Sequence, residues 1–308
     1  EIGIIKDVNH NFGKVNLMRD YKDPIVIVKP ISFNGFQPAH ARIKNITNSN
    51  FSVRIEEWYD LDGFHLKEDV SYIVVEDGLH PVGVIGEIKI NANKATANDR
   101  FGFKEFPDGY FTKPPIIFTT IQTLDGPRPL VTRVNNVGPN GFSLKLQQEE
   151  SYTYHDDNTN EGGIINDQIV GYIAIETPVT DIADISNHFS YGGNDFAVGK
   201  TSRSVNHKWH TLYLQQPDEG QLFESFSFIA DMQSTFGGDT ANLRYKNLIT
   251  DSVQIKVQEE QSKDIEMWHT TEIVGYLVSG KKAKTKCTDS DAHADFPDGK
   301  NYYVKGNG

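Results

Sequence analysis

In the segment FSVRIEEW, Phe51, Val53 and Ile55 alternate with Ser52, Arg54 and Glu56. This is the period of two that a strand with one buried face demands. The alternation returns at Phe142, Leu144 and Leu146, and again at Val253, Ile255 and Val257. Upstream of each lies a fuller apolar run, PIVIVKPIS, PPIIFTTIQT or FSFIADMQS. Bounded by Pro, Gly and Asn, such runs read as more deeply buried strands. No segment of eleven or more residues carries a convincing helical period. The pattern predicts an all-β protein built from small antiparallel sandwiches of about six short strands each.

The recurrence extends beyond single strands. RIKNITNSNFSVRIEEW (42–58) returns as RVNNVGPNGFSLKLQQE (133–149) and as RYKNLITDSVQIKVQEE (244–260). VNHNFGKVNL (8–17) reappears as VNHKWHTLYL (205–214), with ANDRFGFKEF (97–106) as the weaker middle version. DVSYIVVE, QIVGYIAIE and EIVGYLVSG close the copies. Three tandem repeats follow, at 1–82, 83–180 and 181–281, with an acidic and Lys-rich tail at 282–308. A unit of about 90 residues is too long for a solenoid repeat and suits a small domain with its own core. Tandem copies favour a multivalent binding or structural surface over a single catalytic cleft.

Composition narrows the classes. The chain is 37% apolar with a single Cys287 among 308 residues, so it folds on its core and has no disulfide framework. No apolar run is long enough to span a membrane. The net charge of −12 disfavours nucleic acid and anionic membrane as partners, and an acidic polysaccharide would need a local basic patch. A chain that begins at Glu1 reads as a processed product or a piece of something longer, located outside the cell or on its surface.

Candidate chemistry comes from what the copies share. Arg42, Arg133 and Arg244 recur, as do Asn45, Asn136 and Asn247. Strand alternation puts the Asn residues on the apolar side, where they would satisfy turn backbone. It puts the Arg residues outside, to pair with a cross-strand carboxylate or to bind a ligand. A spacing D-x4-H-x2-E is present as Asp60, His65 and Glu68 and again as Asp264, His269 and Glu272. Three roles fit it: an imidazole held between carboxylates that locks the loop, a hydrogen-bonding cluster for sugar hydroxyls, or a divalent cation site. Trp58, Tyr59, Phe64 and Trp268 lie close enough in sequence to stack on a pyranose face. The middle copy breaks the spacing and holds His155 in a longer acidic loop. In the tail, Asp289, Asp291, Asp295 and Asp298 alternate like a Ca2+ loop but lack the Gly and closing Glu of an EF-hand, and a solvated tail explains them equally. No catalytic fingerprint is present, and the chain is expected not to be an enzyme.

The order F-x-x-PP, apolar run, R-V-x-N-V, G-F with alternation, Y-I-A-I-E, clearest from Phe111 to Glu176, resembles the H-type lectin domain family. That resemblance implies a six-stranded antiparallel sandwich and binding of galactose-type sugars without metal, in sites near the junctions of a three-subunit assembly. It further implies that three copies in one chain could form an internal pseudo-threefold cluster. At the family's sugar-contacting Arg this chain has Pro38, Pro129 and Thr240; the family's Trp is matched by Trp58 alone, with Glu149 and Glu260 in the other copies, and its adjoining His is replaced by Tyr59. The expected function is an extracellular, multivalent carbohydrate-binding module recognising galactose-type or algal and bacterial polysaccharides. The alternative is a non-catalytic structural module of a filament, adhesin or phage fibre that contacts copies of itself or neighbouring surface subunits.

Overall fold

The computed structural model describes residues 1–82, 88–123, 126, 128–153, 165–191, 194–214 and 223–282. They are all-β apart from one helical turn at Glu150–Thr153. The first copy contributes β1 (Ile2–Val8), β2 (Gly13–Asn16), β3 (Pro24–Ser32), β4 (Ala39–Lys44), β5 (Asn50–Glu57) and β6 (Glu68–Glu76), followed by β7 (Gly78–Val82). The second contributes β8 (Ile88–Ala97), β9 (Gly102–Glu105), β10 (Ile116–Ile121), β11 (Val131–Gly138), β12 (Gly141–Gln147) and β13 (Gln168–Glu176). After β14 (Ile185–Tyr191), the third contributes β15 (Asn194–Lys200), β16 (His210–Tyr213), β17 (Phe223–Met232), β18 (Ala241–Lys246), β19 (Ser252–Glu259) and β20 (Val274–Lys282).

The same two antiparallel ladders recur. They run β1-β6-β3 with β2-β5-β4, then β8-β13-β10 with β9-β12-β11, then β15-β20-β17 with β16-β19-β18. The alternating residues of β5, β12 and β19 do what their period requires. Phe51, Val53 and Ile55, Phe142, Leu144 and Leu146, and Val253, Ile255 and Val257 are all buried. Each set belongs to a core drawn from its own copy. The strand β7 departs from the sequence division, since it pairs with β8 of the second copy.

The recurring Asn residues are exposed rather than buried. Asn45, Asn136 and Asn247 adopt φ of 52°, 50° and 50°. Each copy turns between its two strands through the left-handed region, which Asn enters more readily than other residues that carry a Cβ. Turn geometry explains the recurrence.

A fourth core is shared by all three copies. Ile25, Ile27 and Ile73 of the first meet Ile116, Phe118 and Ile173 of the second and Phe196, Ile229 and Leu277 of the third. Around it the strands are joined in cyclic order. Gln122 accepts from Val26 N at 3.2 Å and donates to Val26 O at 2.8 Å, tying the second copy to the first. Gln233 does the same to Ile117, at 2.9 and 2.8 Å, tying the third to the second. Phe228 N donates to Ser71 Oγ at 2.9 Å, tying the third to the first. Strand β18 also pairs in parallel with β3, which makes a six-stranded sheet from two copies. Lys29, Thr119, Thr132 and Asp231, drawn from all three copies, complete this centre, with Lys29 Nζ 2.8 Å from Asp231 Oδ2.

Replacing Gln233 by Leu leaves the buried N–H and C=O of Ile117 without these partners. Urea unfolding of Gln233→Leu is expected to show a loss of about 2–4 kcal/mol. A change within about 0.5 kcal/mol would place the copies' association elsewhere.

Candidate functional site

The loop that enters the last strand of a copy carries the His and Glu of the recurring spacing. In the first copy His65 Nδ1 lies 2.7 Å from Glu57 Oε1 and Nε2 lies 3.0 Å from Glu68 Oε1. In the third copy His269 repeats this with Glu259 at 2.5 Å and Glu272 at 3.2 Å. Both rings are fully buried. The donors that complete the clusters are also equivalent. Ser32 Oγ, Asn34 N and Gly35 N donate to Glu68, while Ser234 Oγ, Phe236 N and Gly237 N donate to Glu272. The backbone passes so close that a Cβ at Gly35 would lie 2.7 Å from His65 Nε2, and one at Gly237 would meet the His269 ring closer still. Of the three roles open to this spacing, the arrangement is a loop lock. The ring nitrogens are both engaged, and no face is open to a ligand.

The Arg residues, expected to point outward, are among the largest fully buried side chains. They do leave the outer faces of β4, β11 and β18, but in the third and second copies a loop of the next copy covers them. Arg244 donates to Glu68 at 2.7 Å and to the carbonyls of Ser32, Gly35 and Gln37 at 2.8, 2.9 and 3.0 Å. Arg133 donates to Glu272 at 3.0 Å and to the carbonyls of Gly237 and Asp239 at 3.3 and 3.0 Å. Each cluster is therefore a junction: the Arg of one copy closes on the carboxylate, Ser and His of another. Burial pulls Arg244 down to about 10, against the pull of Glu68, so it stays charged near neutrality.

The junction of Arg42 differs. At the places of Glu57, His65 and Glu68 the second copy has Gln148, Ile165 and Gln168. The positions correspond in contact as well as in order, since Thr123 donates to Gln168 at 2.9 Å as Ser32 and Ser234 do to Glu68 and Glu272. All three members are exchanged together for residues that do not ionise, which marks them as one unit. Among the described residues no hydrogen bond reaches the guanidinium of Arg42, and its nearest carboxylate, Glu56, lies 3.8 Å away. Glu56 is instead held by Arg54 at 2.5 Å and His40 at 3.2 Å. Burial raises the Glu56 carboxyl, but His40, Arg42 and Arg54 together bring it to about 2.

The remaining candidates divide. Trp58 is 1% exposed beside His40, so it packs inside the protein and offers no sugar-stacking face. Phe64 and Trp268 are 68% and 64% exposed and stand at matching places, immediately before His65 and His269. Each lies beside a matching imidazole, His10 at 4.9 Å from Phe64 and His207 at 6.1 Å from Trp268. Asp60 and Asp264 are exposed and take no part in the His clusters. Asp264 lines a mainly acidic pocket with Glu150, Asp239, Glu259, Glu260, Glu266 and one base, Lys263, and carboxylate oxygens of Asp239, Glu259 and Glu266 lie within 4.8 Å of one another. Burial, with Asp239 and Glu260 close by, pushes Glu150 up to about 7. Three oxygen donors in this arrangement are the residues that could hold a divalent cation. Sequence reasoning missed them because Asp239 and Glu266 lie outside strands, before β18 and after β19, with no motif spacing. Asp289, Asp291, Asp295 and Asp298 lie outside the described residues, as does His155.

No family model and no solved structure matches the chain. It is 29% identical over 297 residues to a protein named Halomucin from Haloquadratum walsbyi, an alignment that covers 92% of this chain. The chain spans 3% of that relative's length.

The junction clusters set a pH window. Burial raises the Glu272 carboxyl, but His269, Ser234, Gly237 N and Arg133 lower it from 4.5 to about 2. Its contribution, about 3 kcal/mol, is present above pH ~4.5 and is lost as pH falls towards 2. Burial lowers His269, yet the bonds to Glu259 and Glu272 outweigh it and raise the imidazole above 6.5. Its contribution is full below that value and is lost as pH rises through the raised one. Urea midpoints should therefore peak between about pH 4.5 and 6.5, and His269→Gln should flatten the alkaline limb. A midpoint still rising above pH 8 would contradict this.

Proposed function

We propose that the chain is a non-catalytic extracellular module in which three H-type-lectin-like sandwiches, closed into a pseudo-threefold ring, bind glycans multivalently. The observation that carries this reading is the matched pair of exposed aromatic tips, Phe64 with His10 and Trp268 with His207. A large exposed ring beside imidazole and carboxylate groups is what a pyranose needs: a flat apolar face for its C–H groups and polar groups for its hydroxyls. Asp62 and Asp264, both exposed, sit on the same loops. The buried locks hold these loops from beneath, so a shallow site would lose little entropy on binding. Similarity to a halomucin supports a place in a long surface or secreted protein. It is also the observation that favours the second reading, a structural spacer of such a protein, in which buried junctions give rigidity and the tips contact neighbouring subunits.

A glycan array separates the two. The wild-type chain should bind a defined set of glycans, and Phe64→Ala with Trp268→Ala should lower apparent affinity at least 100-fold, since both tips are lost, with melting temperature unchanged. Retained binding in the double variant would remove the tips from the site. Silence of the folded wild-type chain across the array would leave the spacer reading.

A further inference from the structure

The outer sheet of each copy carries an aromatic ring with basic side chains laid over it. Phe12, Phe101 and Trp209 are equivalent residues leading into or opposite the outer strands. Lys44 Nζ stands 3.8 Å and the Arg54 guanidinium 4.6 Å from the Phe12 ring. Lys145 Nζ stands 4.9 Å from Phe101. Lys246 and Lys256 stand 4.2 and 5.1 Å from Trp209. The third patch is the fullest, because Phe33 of the first copy crosses the junction to meet Trp209 edge-on at 5.1 Å and puts its own face 4.1 Å from Lys256.

A basic side chain over a ring is often structural. Here three observations point to a ligand. Lys44, Lys145, Lys246 and Lys256 take part in no ion pair among the described residues, in a chain whose acids outnumber its bases 42 to 30. Like charges are gathered rather than dispersed, with Lys246 and Lys256 on one ring beside Arg244. Burial, with Arg244 and Lys246 close by, pulls the Lys256 ammonium down to about 8. The cluster also recurs at equivalent places: Phe12, Phe101 and Trp209 keep a ring and Arg54, Lys145 and Lys256 keep a basic group, while the second basic position, Lys44 and Lys246, is Asn135 in the middle copy.

We propose that these patches are binding sites for an anionic polysaccharide, with the Trp209, Phe33, Lys246 and Lys256 patch the principal one. A sulfate or carboxylate would sit on the ammonium groups and the adjoining sugar ring on the aromatic edge. The net charge of −12 repels a polyanion in general, so binding needs these local positive fields. The patches share no residue with the Phe64 and Trp268 tips, and this inference goes beyond the glycan reading of those tips.

The test uses the whole chain against immobilised dextran sulfate, polygalacturonate and neutral dextran, from 50 mM to 1 M salt. Binding to one or both polyanions, weakening as salt rises, with none to neutral dextran, is expected. Response to the first alone identifies sulfate as the group recognised, and to the second alone carboxylate. Lys246→Gln with Lys256→Gln should lower polyanion affinity about 10-fold, and adding Lys44→Gln and Lys145→Gln about 100-fold or more, with melting temperature kept. Trp209→Tyr, which keeps a ring, should retain most binding if the Lys variants fold poorly. Equal affinity in wild type and the four-Lys variant, or no polyanion binding by folded wild type, would overturn the proposal. Polyanion binding that survives Phe64→Ala with Trp268→Ala upholds these sites, while array-glycan binding retained in the same variant is what removes the tips, so the failure of either reading is told apart from that of the other.

Discussion

Burying a guanidinium without hydrogen-bond partners is costly, and two of the three junctions, those of Arg244 and Arg133, are built around that constraint. Arg244 and Arg133 are removed from water, and each is met by a carboxylate and two or more loop carbonyls that belong to a different copy. Breaking such a pair by removing one member leaves a buried charge, which costs about 3–5 kcal/mol. The Arg residues thus fix which copy stands beside which. Relative to a hydrophobic contact of the same size they add register more than net stability. The shared apolar core supplies the driving force, and the polar junctions select one arrangement of it.

The His clusters follow from the same requirement. A carboxylate that receives an Arg from outside must be held in place from inside, and His65 and His269 do that by bridging it to Glu57 and Glu259. The second copy lacks the His and both carboxylates, and the Arg facing it, Arg42, is the one whose guanidinium carries no hydrogen bond among the described residues. The loops that these locks steady are those that present Phe64 and Trp268 to solvent. Fold, junction and exposed tip are therefore consecutive steps of one chain of contacts.

Much of the fold was legible in the sequence. The period of two located β5, β12 and β19 and their buried faces, and the internal repeat announced that the same ladders would recur. The recurring Arg, His and Glu were equally visible, and the loop lock was among the roles their spacing allowed. Their environment was not. Alternation puts Arg42, Arg133 and Arg244 on the outer face correctly, but says nothing of a neighbouring copy's loop laid over that face. Trp58 was read as a sugar platform because it matches a family position, whereas it is buried beside His40. Its equivalents Glu149 and Glu260 take backbone N–H groups of adjacent copies, at Tyr59 and Glu150. The acidic group of Asp239, Glu259 and Glu266 and the Lys-over-ring patches were invisible for a related reason: contacts assembled by tertiary packing leave no periodic trace.

The central claim is that the copies are ordered by Arg–carboxylate pairs across their junctions, and a double-mutant cycle at Arg244 and Glu68 tests it most directly. With Arg244→Met, Glu68→Gln and the double variant unfolded in urea, each single change should cost several kcal/mol and the double change less than their sum, with a coupling of about 2–3 kcal/mol. Additive losses, with coupling within about 0.5 kcal/mol, would show that the two residues act independently and that the junction is held by something else.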